Sequence, residues 1–460
     1  MSVSPDVGVT KGRTIPFYRA IPRLLREPVT ELSKMGMEHE GQPVRIGIGP
    51  FRPYLISHPD HVQQVLKTDW KNFQREGMFW NAVWRLTGYG IISEGETWET
   101  SRKILAPLFT ARYIATLGEK MAATISKSVS QLDRYAESGE VIDSSHKMNV
   151  IVNHVIIDVL FGGRIPRETG ERLAPEFEIC ATSIAVRLLL PFVSDSIRLP
   201  GDKAFLSSMK KIDDIVYPLI ERARTEKNDA NDVLSAVLRA RIAEHGEATD
   251  MRQLRDDVVS IYGTASETTS MTLTWFWGVI QAHPEVYARL EEEIVRVTGG
   301  GPVKSEHIDE MKYLYMVLQE LLRIYPAGWL VPRQAVKDTV VGGVKIKAGS
   351  QVLISPFTTH RLEEYWDKPM EFNPERFSPE RHARRERRHR YSYFPFGVGA
   401  HVCLGQQLFF MEASLIIANL ILRFRPEVAN PQPLTPAPGA SVRPKEQVLL
   451  RLRAMDRSAV

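Results

Sequence analysis

The sequence predicts a mainly α fold with small β-sheets (α+β), built as one domain. Three observations predict it. Long stretches repeat their apolar residues with the 3.6-residue period of a helix. Runs rich in β-branched residues occur near the N-terminus and again past residue 330. No linker separates these regions, so the small sheet gathers segments distant in sequence. We divide the chain into an N-terminal lead segment, 1–43, and a single domain, 44–460.

The elements follow in order. Residues 44–57, VRIGIGPFRPYLIS, read as two short strands about a Gly-Pro turn, and 60–68 as a helix. The segment 77–92, GMFWNAVWRLTGYGII, reads as an aromatic-rich loop. Helical period then runs through 114–138, 149–161, 203–228, 250–282, 284–298 and 308–325. Asp202 suits the cap of the helix at 203, and Pro284 suits a first helical turn. A strand pair is expected at 339–357, a long apolar helix at 406–424 and a last strand at 446–453. The Pro-rich stretch 426–444 reads as an irregular connection.

Composition excludes several classes. Of 460 residues, 43% are hydrophobic, ample for a large core. The 59 basic and 55 acidic residues leave +4, too mild a surplus for nucleic-acid binding. Cys180 and Cys403 lie far apart, so neither a disulfide framework nor a CxxC metal site can be built from them. The N-terminal residues lack an apolar run long enough for a signal or anchor, and we expect a cytoplasmic protein without a membrane anchor.

The strongest chemical signal is FPFGVGAHVCLG, residues 394–405. Phe396, Gly397, Gly399 and Gly405 surround one cysteine just before a long helix. Glycines allow tight turns and close backbone approach to a flat cofactor. A thiolate at a helix N-terminus is favoured by the dipole and by free N–H groups. A lone cysteine beside a glycine turn is ordinarily a buried core residue. Four residues in register around it reverse that reading.

The run resembles the haem-binding loop of cytochromes P450, Phe-Gly-x-Gly-x-Arg/His-x-Cys-x-Gly, at Phe396, Gly397, Gly399, His401, Cys403 and Gly405. Glu412 on the following helix also matches the family. The resemblance implies the cytochrome P450 fold, with a long central helix over haem b and Cys403 as the iron ligand. His401 stands where most members carry Arg, and its implied role is a hydrogen bond to a haem propionate. A second match joins Glu320 and Arg323, in QELLRIYP, to Arg376 in PERF; the resemblance implies a buried charge network locking the cysteine loop. A third is Ala265-Ser266-Glu267-Thr268-Thr269. There Thr268 is implied to deliver protons to iron-bound oxygen, and Glu267 to connect it to solvent. Thr264-Ala265 departs from the usual Ala-Gly and narrows the groove. Trp98 and Arg102, spaced Trp-x-x-x-Arg, and Arg333 resemble the residues beside the propionates; Arg suits a carboxylate by its bidentate fork.

The implied activity is hydroxylation or epoxidation of an apolar small molecule, a terpenoid, fatty acid or polyketide, with O2 and two electrons. The stretch around these motifs looks more like fatty-acid and terpenoid hydroxylases than oxidisers of small aromatic rings. No flavin or dinucleotide fingerprint is present, so the electrons come from a separate donor such as ferredoxin and ferredoxin reductase. The run RHARRERRHR, 381–390, is an expected docking site for an acidic partner. Substrate-contact candidates are Phe79, Trp80, Trp84, Ile261, Thr264, Ala265, Trp329 and Val442. The alternative within haem chemistry is a haem-thiolate peroxygenase or an isomerase or dehydratase that inserts no oxygen. A Cys403–His401 hydrolase lacks a third group to orient the pair.

Overall fold

A computed structural model describes residues 12–455, apart from 50, 191–192, 195, 226–231, 247–249 and 381–388. The segment expected as a lead is built into the fold. Strand β1 (Arg13–Ile15) pairs in parallel with β2 (Val44–Ile46), and β2 pairs antiparallel with β3 (Tyr54–Ile56). The connection holds α1 (Phe17–Arg26) and α2 (Pro28–Met37), with Pro28 in its favoured first-turn place. Val29, Leu32 and Met35 of α2 are buried. These two helices are short, and α1 carries an internal proline, which masks their period in the sequence.

Helix α3 (Pro59–Gln63) runs into a π turn at 64–68, matching the expected helix over 60–68. After β4 (Phe73–Gln74), the expected loop at 77–92 contains a helix, α4 (Met78–Thr87). Glycines in positive-φ conformations bracket it, Gly77 at 83° and Gly88 at 52°. Helix α5 (Gly95–Leu105) follows. The expected helix at 114–138 is two, α6 (Ala111–Ser130) and α7 (Asp133–Ser138). The break at 131–132 lets Asp133 pair with Arg423 from the far end of the chain.

Strand β5 (Ile142–Asp143) leads to α8 (Ser144–Phe161), whose cap Asp143 accepts from Ser145 N–H at 2.8 Å. Then come α9 (Arg167–Leu189), α10 (Asp202–Thr225), α11 (Val233–His245), α12 (Met251–Ile280), α13 (Pro284–Thr298) and α14 (Lys312–Ile324). Asp202 is not the cap expected of it. Its buried carboxylate instead binds Arg187 at 2.6 Å and Arg85 at 2.8 Å, because two cations outbid its own helix N–H groups.

The C-terminal part adds β6 (Val331–Ala335), β7 (Thr339–Val341), β8 (Val344–Ile346), β9 (Gln351–Ile354), α15 (Pro356–Thr359) and α16 (Gln406–Arg423). The chain ends in β10 (Phe424–Val428), β11 (Pro436–Ala437), β12 (Arg443–Pro444) and β13 (Leu449–Ala454). The Pro-rich connection thus holds short strands as well as turns. One sheet has the order β1-β2-β3-β9-β6-β4 and another β10-β13-β5, so both join segments far apart in the chain. No helix of the described residues is long and apolar enough to cross a membrane.

The long helix α12 is the centre of the core. Trp275, Phe276 and Trp277 are each 1% exposed. Two of its buried hydroxyls share one acceptor: Tyr262 and Ser266 both donate to Asn153 Oδ1 of α8, at 2.7 and 2.9 Å.

The expected charge network is assembled. Arg323 grips Glu320 with two N–H groups at 2.7 and 2.9 Å, and Arg376 Nε donates to the same carboxylate at 3.2 Å. Both Glu320 and Arg323 are 0% exposed. The remaining guanidinium hydrogens reach the carbonyls of His360, Pro369 and Lys368. Removing one partner of a buried pair leaves an unmatched charge and costs about 3–5 kcal/mol. Glu320→Ala should therefore lower the unfolding free energy from urea titration by that amount or yield no folded protein, whereas exposed Glu306→Ala should not shift it.

Candidate active site

Cys403 lies between a 3₁₀ turn at Gly399–His401 and the start of α16. Its N–H donates to Phe396 O at 2.8 Å, closing the loop. Gly397 and Gly399 adopt φ of 70° and 76°. A side chain at 399 would bring Cβ within 2.0 Å of Leu66 O, so only glycine fits there. Phe396 packs at 5.6 Å on both Phe409 and Phe410. Gly405 does not use positive φ, and a Cβ there would stand in ordinary contact with Cys403 Sγ at 3.7 Å.

The thiol is accessible, yet that accessible face lies deep within the protein. Burial pushes its pKa up; the Gly405 N–H and the guanidiniums of Arg102 and Arg75 oppose this. Such a sulfur is poorly placed as a free thiol and well placed as a ligand to a cation.

A cluster of cations flanks the cysteine loop. Arg102 donates to Val402 O at 2.6 Å. Arg333 is 4% exposed and Arg75 is enclosed; Arg75 Nε has no hydrogen-bond partner among the described residues. The β4–β6 register sets Phe73 against Ala335 and Gln74 against Gln334, which places Arg75 beside Arg333. Burial drives both guanidiniums down, to about 9 for Arg75, where Arg333 adds repulsion, and to about 10 for Arg333. Two enclosed like charges side by side disfavour folding, so the arrangement is explained by an anion that binds there. A group with two carboxylates, as haem has, fits this donor set.

His401 Nε2 lies 3.1 Å from Glu94 Oε1, and its ring stacks on buried Trp98 at 4.1 Å between centroids. Burial lowers His401 to about 4; the Glu94 bond opposes this and Arg75 and Arg333 reinforce it. Arg75 and Glu94 escaped the sequence reading. Glu94 stands four residues before Trp98, beside a motif already singled out, but Arg75 is marked only by strand register.

On α12, hydroxyls bond back one turn: Thr264 to Ser260 O at 2.7 Å and Thr268 to Thr264 O at 2.9 Å. Thr264 is exposed; Ala265 and Thr268 are partly so. Glu267 accepts from Ser441 N–H at 3.3 Å. Burial raises its pKa, partly offset by that bond and by Arg443. Glu412 of α16 is 1% exposed, with Oε1 unpartnered among the described residues; burial raises it to about 8 against a bond from Thr269.

The substrate candidates divide. Thr264 and Ala265 share the α12 segment with Thr268. Ile261 is not a free wall: it is 6% exposed and packs among Leu160, Phe161 and Val237. Val442 is core at 1%, against Val29 and Phe357. Phe79 is buried edge-on to Phe51, and Trp80 donates to Pro332 O while lying beneath Arg75. These aromatics serve the sheet and the arginines because α4 is a helix with one inward face. Trp84 and Trp329 are partly buried; Trp329 donates to Gly439 O at 3.3 Å. The basic run falls at 381–388 outside the described residues.

Comparison with known proteins agrees with this geometry. The family model for cytochrome P450 matches residues 12–451. Cyclooctat-9-en-7-ol 5-monooxygenase of Streptomyces melanosporofaciens is 29% identical over 449 residues, covering 96% of this chain and 93% of that protein. Pentalenene oxygenase of Streptomyces avermitilis is 26% identical, covering 99% of each. A crystal structure of a cytochrome P450 (CYP102L1) matches the fold with a TM-score of 0.84 at 21% identity, over 98% of this chain and 100% of that one. The chain belongs to the cytochrome P450 family. It is a P450 monooxygenase, whose cofactor is haem b and whose activity needs O2, an apolar substrate and an electron-transfer partner.

Glu412 gives a signed pH effect. Its folded pKa of about 8 exceeds the ordinary 4.5, so the folded state holds a proton that the unfolded state has lost between those values. That contribution is complete below about 4.5 and fades as pH rises through about 8. Glu412→Gln should flatten the fall in unfolding free energy from pH 5 to 8, by on the order of a few kcal/mol. Parallel profiles for the two proteins would show that the carboxyl is ionised throughout.

Proposed function

We propose that this monooxygenase hydroxylates or epoxidises a terpenoid, with Cys403 as the axial ligand of its haem and ferredoxin as the electron donor. The observation that carries the ligand assignment is Cys403 Sγ at the start of α16, beside the Gly405 N–H and next to a surplus of guanidinium charge. Haem held by a cysteine thiolate supplies O2 activation, because the sulfur pushes electron density that favours O–O cleavage.

The chain's own residues do the rest. Gly405 N–H and Arg102 stabilise negative charge on sulfur. Arg75, Arg333 and Arg102 would hold the carboxylates of the cofactor. Phe396 packs the loop against Phe409 and Phe410 at the start of α16. Thr268 holds its hydroxyl hydrogen on Thr264 O and leaves oxygen lone pairs for a proton donor. Glu267, one residue away, has its pKa raised by burial, which favours its protonated form.

Support for a terpenoid comes from the relatives, since the cyclooctat-9-en-7-ol monooxygenase and pentalenene oxygenase are named for such substrates. Ferredoxin is supported by the basic run 381–390, whose charge suits an acidic partner.

Two experiments test the reading. The reduced, CO-bound protein should show the red-shifted Soret band of thiolate ligation, and Cys403→Ser should abolish it; an unaltered spectrum in the variant removes Cys403 as ligand. In the same preparation, cyclic terpenes should give a haem spin-state shift that fatty acids and aromatic acids do not.

Thr268→Ala tests the proton role. A positioned proton donor contributes roughly 10²-fold or more. The variant should form product about that much more slowly while still consuming electrons, with peroxide as the readout. Unchanged product per electron would reassign Thr268 to helix geometry alone.

A further inference from the structure

Glu94 is the one carboxylate whose charge acts on Arg75 and Arg333 among the described residues at this site, and Arg102 lies close enough to Arg75 to repel it. It is well enclosed, with an 8% exposed side chain. Its two oxygens go to different places. Oε2 accepts the backbone N–H of Arg75 at 2.7 Å, and Oε1 meets His401 Nε2 at 3.1 Å. Glu94 itself stands at the N-cap position of α5, the helix that carries Trp98 and Arg102, and spends its side chain on the other two segments rather than on a capping bond. One carboxylate therefore ties the strand edge after β4, the cysteine loop and α5. Burial raises its pKa, but the bonds to His401 and Arg75 outweigh this and keep it ionised. Three fixed guanidinium charges less one carboxylate leave a surplus of two, which equals the charge on the two propionates of haem b.

We propose that Glu94 is the counter-ion and positioning residue of the propionate-binding cluster: it registers three chain segments and trims their positive charge to match the cofactor's dicarboxylate edge. This rests on the haem-thiolate reading above. Its consequence is electrostatic as well as structural. A negative charge near the haem edge disfavours the added electron, so its removal favours the ferrous state.

The test compares the haem-loaded parent with Glu94→Gln, Glu94→Asp and Glu94→Ala. Midpoint potential and haem loss to excess apomyoglobin are the readouts. Glu94→Gln keeps an acceptor but removes the charge. It should raise the reduction equilibrium constant about threefold to tenfold, where tenfold is 59 mV for one electron. Its haem loss should stay within about twofold of the parent. Glu94→Asp should restore the parent potential. Glu94→Ala should show the same rise in potential and lose haem at least tenfold faster; should it fail to load haem, the glutamine variant still decides. An unmoved potential in Glu94→Gln, with the thiolate CO spectrum intact, overturns the proposal and leaves the Cys403 assignment standing. Loss of that spectrum in the parent would strike the assignment itself.

Discussion

The site depends on one buried carboxylate far from the chemistry. Glu320 collects Arg323 from its own helix, Arg376 and the Asn373 N–H from the stretch beyond the strands. Those arginines then bind five backbone carbonyls between 360 and 371. An irregular segment has no ladder to satisfy its carbonyls, so it needs such donors to be buried at all. From there the order reaches the cysteine loop. His360 accepts the Phe394 N–H at 2.9 Å, and Trp366, beneath Arg323, donates to Ser392 O. Cys403 is thus fixed by a relay of hydrogen bonds that begins at an ion cluster on α14.

Helix α12 solves a different conflict. A helix carrying Ser260, Thr264, Ser266, Thr268, Thr269, Ser270, Thr272 and Thr274 has poor propensity on paper. Most of these hydroxyls satisfy themselves on the carbonyl one turn back. Thr269 instead reaches Glu412, and Ser266 reaches Asn153. The helix can therefore be buried on the faces toward α8 and α16 and keep hydroxyls on the face that carries Thr264 and Thr268. Tertiary burial overrides the weak local preference.

What the sequence made legible follows from how local each signal is. Glu320 and Arg323 sit one turn apart, and the residues around Cys403 lie within one loop, so spacing alone exposes them. The period of α12 spans 30 residues and is hard to miss. Arg75 was illegible because only the pairing of β4 with β6, more than 250 residues apart, brings it beside Arg333. Asp202 looked like a cap because capping is local, while Arg85 and Arg187 arrive from elsewhere. Val442 and Ile261 show the same limit from the other side: an apolar residue near a site reads as a wall until packing shows that it is core.

The histidine at 401 can be understood through this charge arrangement. Cytochromes P450 mostly carry Arg at the matching position, which would add a fourth fixed cation to Arg75, Arg102 and Arg333. Desolvation, Arg75 and Arg333 hold His401 neutral at pH 7, with its pKa lowered to about 4. The ring still supplies one N–H to Glu94 and a face to Trp98. A neutral residue here keeps the loop tied to α5 without deepening the repulsion that already depresses Arg75. Substituting Arg for His401 is therefore not conservative in this chain, because the single carboxylate of Glu94 is already matched against the charges present.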